Sequence, residues 1–189
     1  MKYFGYLLAG MLTLFVLSPG AHAKEAELVD GVYEVQGDSN LMTQKATLKE
    51  GELNGSTKSF YESGELKSLY QFKNGKLHGI VKQYAEDGRL LSENEYRNGK
   101  RFGVSRAYYD NGKLRYELNV QNGAMAGAAK MYYEDGKLKR KAQFKDNQLD
   151  GVEQWFHKNG QLWEERQWSM GQRGDTLRSF DESGLEIAL

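Results

Sequence analysis

The sequence predicts an all-β protein, an elongated antiparallel meander of tandem 24-residue β-hairpin repeats. Three observations support this prediction: a constant glycine period, turn dipeptides at fixed positions, and aromatic and leucine columns in the same phase. The first glycine series steps by 24 residues: Gly31, Gly55, Gly79, Gly103, Gly127 and Gly151. The second keeps the same step: Gly64, Gly88, Gly112, Gly136, Gly160 and Gly184. Because no insertion interrupts either series, we interpret the chain as one continuous repeat.

Each repeat divides into two strands and two turns. The first turn series is Asp87-Gly88, Asn111-Gly112, Asp135-Gly136 and Asn159-Gly160. These dipeptides are typical of type I′ hairpins, in which both central residues have positive φ, so we expect type I′ turns there. The second series, half a repeat later, is Asn74-Gly75, Asn98-Gly99 and Asn122-Gly123. Strands of about seven residues rich in Tyr, Phe, Val and Leu fit between the turns.

Charges support the strand register that follows from these turns. With Asn111-Gly112 as a two-residue loop, Arg106 faces Glu117, and the next repeat places Lys130 opposite Lys141. Opposite charges across a pair of strands each contribute roughly 0.2 to 1 kcal/mol, whereas like charges destabilise the pair. Most of the facing pairs are opposite in sign, so the charges favour the hairpin interpretation.

The repeats begin at about residues 31, 55, 79, 103, 127, 151 and 175, and the first and last are atypical caps. The first cap has Gln36 where the other repeats have an aromatic residue, and the last has Glu186 in the leucine column. We therefore predict a single repeat domain over residues 24–189.

The N-terminal residues 1–23 form a predicted secretory signal. Lys2 precedes an apolar run from Tyr3 to Leu17, and Ala21-His22-Ala23 has the small-x-small form of a cleavage site. The run is shorter than the roughly 20 residues that span a bilayer as a helix, so we favour cleavage after Ala23 over a retained anchor. The sequence thus predicts a periplasmic or secreted protein that is not integral to the membrane.

Composition excludes several classes of function. After loss of Lys2, the 26 basic residues become 25 against 26 acidic ones, and a balanced charge gives no general attraction for nucleic acid. The chain has no cysteine, so disulfides and thiolate chemistry are excluded.

The spacing of GIVKQYAEDGRLLSENEYRNG at residues 79–99 closely resembles the MORN repeat, specifically its bacterial variant. The resemblance extends over roughly residues 31–189, although the Tyr-x-Gly-x-Trp core of the eukaryotic form is missing. It implies a non-enzymatic module, and many bacterial proteins of this kind are described as antitoxins of toxin–antitoxin systems. MORN repeats elsewhere are associated with scaffolding near membranes.

No catalytic, cofactor or metal site is predicted. His78 and His157 occupy different repeat positions, and neither has a second histidine at ligand spacing. No phosphate-binding loop with Lys-Ser and no Gly-x-Ser-x-Gly elbow occurs. A pair of carboxylates brought together by the fold remains open, but the acidic column repeats in every unit and suits solubility better. We interpret the protein as a non-enzyme.

Two groups of residues are candidates for binding. The first is an aromatic column that shares a sheet face with a cationic column and includes Tyr84, Tyr108, Tyr132, Lys82, Arg106 and Lys130. In this register Lys67, Arg115 and Lys139 lie beside Phe60, Tyr108 and Tyr132, a geometry that permits cation–π contacts. The second group holds all three tryptophans, Trp155, Trp163 and Trp168. For both groups the alternative is packing: stacked aromatics covered by lysine stems, and tryptophans that close the end of a core.

The leading hypothesis is an exported protein-interaction module, either antitoxin-like or immunity-like or an envelope scaffold. The alternative is a peripheral envelope protein that holds lipid head groups or glycan on its aromatic-cationic face. Neither hypothesis needs a cofactor.

Overall fold

In the computed structural model, the described residues are 2–4, 7–8, 11–12, 15–17, 30–36 and 42–188. The predicted cleavage site after Ala23 lies outside them. Two compact units divide the chain, one of Met1–Leu90 with Tyr96–Gly99 and one of Leu91–Glu95 with Lys100–Leu189. Both units contain only strands and turns in their described residues. The prediction of an all-β antiparallel meander of tandem hairpins is confirmed.

The first unit holds two short strand pairs and a meander. β1 (Lys2–Phe4) pairs with β4 (Phe15–Leu17), and β2 (Leu7–Leu8) pairs with β3 (Met11–Leu12). Antiparallel pairs join consecutive long strands of the meander, and the two-residue strands β7 and β10 pair back onto β6 and β9. The meander strands are β5 (Gly31–Gln36), β6 (Met42–Lys49), β7 (Glu52–Leu53), β8 (Gly55–Phe60), β9 (Leu66–Lys73), β10 (Lys76–Leu77) and β11 (Gly79–Tyr84).

The second unit continues the same pattern. β12 (Leu90–Arg97) contributes Leu91–Glu95 to this unit and its other residues to the first. Each long strand pairs antiparallel with the next, and β17 pairs back onto β16. The remaining strands are β13 (Lys100–Tyr108), β14 (Leu114–Gln121), β15 (Ala124–Tyr132), β16 (Leu138–Lys145), β17 (Gln148–Leu149), β18 (Gly151–Phe156), β19 (Leu162–Ser169) and β20 (Gln172–Ser179).

The predicted turn type is wrong for the first turn series. Asn111 has negative φ and only Gly112 is left-handed, at φ 77°. The amide of Gly112 donates to the carbonyl of Tyr109 at 2.9 Å, and the amide of Tyr109 donates to the carbonyl of Lys113 at 2.8 Å. This is a three-residue hairpin loop in which a left-handed glycine forms a bulge. Register shifts between Ala107 and Tyr108 accordingly mark the strand end.

An acidic or amide residue precedes that glycine because its side chain closes the turn. The Oδ1 atom of Asn111 accepts the amide of Lys113 at 3.0 Å, a bond that only a short side chain with an acceptor makes to its own backbone two residues on. Equivalent bonds join Asp87 to Arg89, Asp135 to Lys137 and Asn159 to Gln161. The dipeptide therefore signals a hairpin correctly, although of a different class.

The second turn series has the type I′ signature. Asn98 and Gly99 both have positive φ, at 50° and 80°, and so do Asn122 and Gly123, at 51° and 89°. Asp146 and Asn147 adopt the same signs, at 49° and 67°, without a glycine. Asn and Asp tolerate the left-handed region best among non-glycine residues. The type I′ turn therefore forms at Asp146-Asn147 although Asn147 stands where the other turns of this series have glycine.

Within each unit, hydrogen bonds at the turn edges join successive repeats. At the bulged turns, the hydroxyls of Tyr61, Tyr109 and Tyr133 donate to carbonyls 23 residues ahead, at 2.6 to 2.7 Å. The Nε2 atom of His157 lies 3.0 Å from the carbonyl of Phe180 in the same place. At the type I′ turns, the amide of Gly123 donates to the carbonyl of Arg101 at 2.8 Å. These bonds explain why a tyrosine column follows the predicted aromatic column by one residue.

The buried residues of each unit lie on one face of its meander, called here the inner face. In the second unit they are Ser105, Val120, Ala142 and Glu153, each no more than 3% exposed. In the first unit they are Ala46, Leu48, Thr57, Ser68 and Val81. Most are small, and none of them is aromatic. A single layer of strands therefore buries its inner face only partly, and the residues that the structure describes form no large apolar core.

Candidate interaction surfaces

Two of the three tryptophans form one aromatic cluster with a histidine. The rings of Trp155 and Trp163 meet edge to face, with centroids 6.4 Å apart at 71°. The ring of His157 also contacts Trp163, with centroids 5.8 Å apart at 34°. Trp163 is 45% exposed, whereas Trp155 and His157 are half-buried. The geometry presents one face of Trp163 to solvent while its neighbours fix its orientation.

A strand bulge positions Trp163. The register runs from Trp155 opposite Glu164 to Phe156 opposite Leu162, so Trp163 is the extra residue of its strand. An extra residue leaves the strict alternation of faces, which is how a bulge redirects a side chain. Trp163 consequently reaches the ring of Trp155 on the inner face.

The third tryptophan belongs to a buried polar network. The Nε1 atom of Trp168 donates to Oε2 of Glu153 at 2.8 Å, and Nε of Arg140 donates to Oε1 of Glu153 at 2.6 Å. The guanidinium of Arg140 also lies 5.1 Å from the ring centroid of Trp155. Glu153 is 3% exposed, so both of its oxygens are satisfied inside the protein. Trp155 and Trp168 are thus tied into the inner face, and Trp163 is the exposed one of the three tryptophans.

Sequence reasoning missed Glu153 and Arg140, although a signal was present. The inner-face column of Glu153 holds Thr57, Val81, Ser105 and Ala129 in the other repeats, all uncharged. A carboxylate in such a column needs a cation nearby. Arg140 departs from its own column in the same region, where Ser68, Ser92 and Tyr116 stand, and the two departures together would have predicted a buried ion pair.

A second arginine lies next to this network. One terminal nitrogen of Arg166 is paired with Glu164 and also donates to Oγ1 of Thr176 at 3.3 Å. Its Nε is buried with no hydrogen-bond partner among the described residues. The inner face of the last repeats is therefore charged as well as aromatic.

The predicted aromatic-cationic column lies on the opposite, outer face. Arg106 and Tyr108 lie on this face together with Glu93 and Glu117. The hydroxyl of Tyr108 donates to Glu93 at 2.9 Å, and burial followed by this bond raises the pKa of Tyr108. Nε and a terminal nitrogen of Arg106 hold one oxygen of Glu117 at 2.8 and 2.7 Å, and this hydrogen bond raises the pKa of Arg106. The predicted facing of Arg106 and Glu117 is confirmed.

The remaining residues of that column are divided between the two units, with Tyr84 and Lys82 in the first and Tyr132 and Lys130 in the second. Tyr84, Tyr132 and Lys82 are half-buried, as is Lys130. The backbone carbonyls of Tyr84 and Tyr132 accept the hydroxyls of Tyr61 and Tyr109 at 2.7 and 2.6 Å. Lys130 lies directly opposite Lys141, as the sequence predicts.

Two predicted cation–π pairs are wrong. Lys67 lies over Tyr61 at 5.3 Å, and Lys139 lies over Tyr133 at 5.4 Å, instead of beside Phe60 and Tyr132. The three-residue loop and its bulge shift the pairing by one residue near each turn, which the two-residue loop of the sequence prediction did not include. Arg178 does lie over Phe180, at 5.9 Å.

The described part of the chain holds no group of three or more His, Asp or Glu side chains that could bind a metal ion. His157 is engaged with Phe180 and Trp163, and Nδ1 of His78 is buried without a partner. Within the same residues, no helix has the length and apolar character to cross a membrane.

Comparison with known protein families matches the MORN repeat variant at residues 53–74, 77–98, 103–122, 125–146 and 149–169. No curated protein matches the chain. The five matched segments follow the hairpins and together cover more than half of the sequence. MORN repeats are generally modules of interaction with proteins or membranes, and proteins built from them are generally non-enzymatic. The chain belongs to the MORN repeat variant family.

Proposed function

We propose that this protein is an exported, non-enzymatic module whose last full repeat, residues 151–174, binds another protein. The observation that carries the proposal is the position of its exposed apolar side chains. Among the described residues, eight large hydrophobic side chains are exposed, and six of them lie between residues 152 and 187: Val152, Trp163, Met170, Leu177, Leu185 and Ile187. Concentration of apolar surface in one region of a soluble protein is typical of an interaction site.

Trp163 is the side chain best suited to anchor a partner. A tryptophan offers a large rigid surface and dominates the binding energy of many interfaces. Trp155 and His157 fix its ring at 6.4 and 5.8 Å, so little rotamer freedom is lost on binding. Glu164 and Arg166 provide a polar rim beside it. We therefore place the centre of the interface at Trp163.

Charge favours a protein partner over an anionic membrane. Residues 151–188 contain seven acidic and four basic side chains, a net charge of 4 − 7 = −3. An anionic lipid surface attracts clustered Lys and Arg and repels such a segment. A partner protein that presents an apolar pocket with a neutral or basic rim fits it better.

Export is part of the proposal. Lys2, the apolar run to Leu17 and Ala21-His22-Ala23 support a cleaved signal and a periplasmic or secreted location. In that compartment the module would serve as an immunity-like or antitoxin-like protein, or as an envelope scaffold. A scaffold of strands with no cysteine suits either role, because it needs no disulfide to fold.

Pull-down from a periplasmic extract with the immobilised chain 24–189 tests this function. Trp163→Ala should reduce recovery of the bound protein about tenfold, as expected for an interface anchor. Ile80→Ala is the matched control, because Ile80 is 49% exposed but lies in the first unit, and it should retain full recovery. Circular dichroism should show both variants folded. Equal recovery with Trp163→Ala, or recovery of lipid or glycan without protein, would refute the proposal.

A further inference from the structure

The outer face of the second unit carries one continuous row of cross-strand partners. Each residue is the register partner of the next, so all seven side chains lie on one face: Arg106, Glu117, Lys130, Lys141, Gln154, Glu165 and Arg178. Four are cations and two are carboxylates, so the row has a net charge of 4 − 2 = +2. This excess resides at its centre.

At both ends of the row, the carboxylate is bound by other side chains of the row. Glu117 is held by Arg106 at 2.7 Å. At the other end, Glu165 accepts Nε2 of Gln154 at 2.6 Å and a terminal nitrogen of Arg178 at 3.0 Å. Lys130 and Lys141 lie between these groups, and no carboxylate of the described chain pairs with either ammonium group.

Other repeats of the chain show that this arrangement is a departure. The column of Lys141 holds Glu93, Glu117 and Glu165 in neighbouring repeats. The first unit has two such pairs. Lys45 lies opposite Lys58 but binds Glu34 at 2.9 Å, and Lys73 lies opposite Lys76 at the edge of the Asn74-Gly75 turn, where both side chains are exposed. Like charges directly opposite each other destabilise an antiparallel pair. Lys141 therefore opposes stability at a position where a glutamate would support it.

We propose that Lys130 and Lys141 form a binding site for acidic side chains of a partner protein. Two ammonium groups on adjacent strands can hold one carboxylate between them, or two carboxylates carried by an extended segment. Tyr132 is half-buried on the same strand as Lys130, two residues further along. The site lies on the face opposite Trp163 and does not depend on the function proposed for that residue.

The two carboxylates of the row favour binding of a short acidic segment over binding of a continuous polyanion. Glu117 lies one strand from Lys130, and Glu165 lies two strands from Lys141. Strands are about 4.8 Å apart, so both carboxylates lie within about 10 Å of the lysine pair, roughly one Debye length at physiological salt. They would repel the flanking charges of nucleic acid or of an anionic bilayer. A peptide with only a few acidic residues can contact the lysine pair without bringing negative charge close to Glu117 or Glu165.

The test combines binding and stability in the folded chain 24–189. The probe is a short synthetic peptide of alternating glutamate and threonine, titrated by calorimetry at low salt, with the glutamine-for-glutamate peptide as its control. Inorganic phosphate and vesicles of phosphatidylglycerol are the competing probes. Lys141→Glu should weaken peptide binding about tenfold, since an attraction becomes a repulsion. It should also raise the midpoint of thermal unfolding by about 2 °C, because a carboxylate would then face Lys130.

Lys145→Glu makes the same change of charge four residues along the strand, at an exposed position, and should leave peptide binding within about twofold. Equal binding of the glutamate and glutamine peptides would overturn the proposal. So would tighter binding of the vesicles or of phosphate than of the peptide, or equal losses in the two variants. A thermal midpoint lowered by Lys141→Glu would show that the lysine pair is not opposed to stability, and would also overturn it.

Discussion

Two hairpins of the second unit share one framework. In the middle hairpin Gly103 pairs with Val120, and in the last full hairpin Gly151 pairs with Trp168, 48 residues later. Both have their register shift at the same point, before Tyr108 and before Phe156. Both close with the same turn, in which Asn111 or Asn159 accepts the amide two residues ahead. Turns and register therefore do not depend on what the inner face carries.

The inner faces of these hairpins differ completely. The middle hairpin buries Ser105 and Val120, whereas the last buries Glu153, which binds Arg140 and Trp168. A buried carboxylate is tolerated because both of its oxygens have donors. The repeat therefore determines the backbone but not the inner-face side chains. These side chains can vary between repeats when the residues that contact each other change together.

Removing Glu153 should show the largest difference between the hairpins. Glu153→Ala leaves Arg140, whose side chain is 20% exposed, without its carboxylate and leaves Nε1 of Trp168 without an acceptor. Loss of one partner of a buried ion pair is strongly destabilising, and we expect a decrease of about 3 kcal/mol in the free energy of unfolding. Urea unfolding followed by tryptophan fluorescence measures it, because all three tryptophans lie in this region.

Ser105→Ala at the equivalent position is the matched control. Ser105 is equally buried, and the exchange removes the hydrogen bonds of its hydroxyl to Asn94 and Arg101 but no charge, so the change should be about 1 kcal/mol. Similar effects at both positions would contradict the view that the last hairpin is stabilised differently from the middle one.

Much of this framework is readable from the sequence. Glycine phase, turn dipeptides and the facing of Arg106 and Glu117 predict the meander and its register, because period and turn chemistry are local properties. The turn class was not readable in the same way, because Asn-Gly serves both type I′ turns and bulged three-residue loops. At residues 109–112 the added hydrogen bond between Tyr109 and Lys113 decides for the bulged loop, and dipeptide preference does not include that bond.

The candidate surfaces are less predictable than the fold. Sequence grouped the three tryptophans correctly in one repeat but could not separate exposed Trp163 from Trp168, which donates to Glu153. This difference in exposure depends on the one-residue bulge at Trp163 and on Glu153, which lies fifteen residues before Trp168. Small changes of register therefore decide exposure, and only three-dimensional geometry resolves them.

Glycine at the turn asparagines tests the framework that both hairpins share. Asn111→Gly and Asn159→Gly should each destabilise by about 1 kcal/mol, since each loses its bond to the following strand and a donor bond to Glu134 or Glu182, at 2.8 and 2.6 Å. Asn122→Gly should be neutral or slightly stabilising, because Asn122 already has a φ of 51°. Thermal unfolding of the three variants measures the contrast. Destabilisation by Asn122→Gly equal to that of the others would contradict the two turn classes.

Acid should produce the smallest effect, confined to the outer face of the last hairpin. The amide of Gln154 and then the guanidinium of Arg178 lower the pKa of Glu165 below its ordinary value. A depressed pKa in the folded state means that Glu165 contributes stability above its unfolded pKa and loses it as pH falls through the folded value. The protection factors of the β18–β20 amides, which correct exchange for its intrinsic pH dependence, should therefore fall from roughly pH 5 downward.

Two variants separate the causes of that acid effect. Glu165→Gln should flatten the pH dependence of these protection factors, because the carboxyl with the lowered pKa is removed. Arg178→Gln should keep the larger part of it, since the bond from Gln154 at 2.6 Å remains. An unchanged pH profile in Glu165→Gln would assign the effect to another carboxylate. A flat profile in Arg178→Gln would make the guanidinium, and not the amide, the main cause.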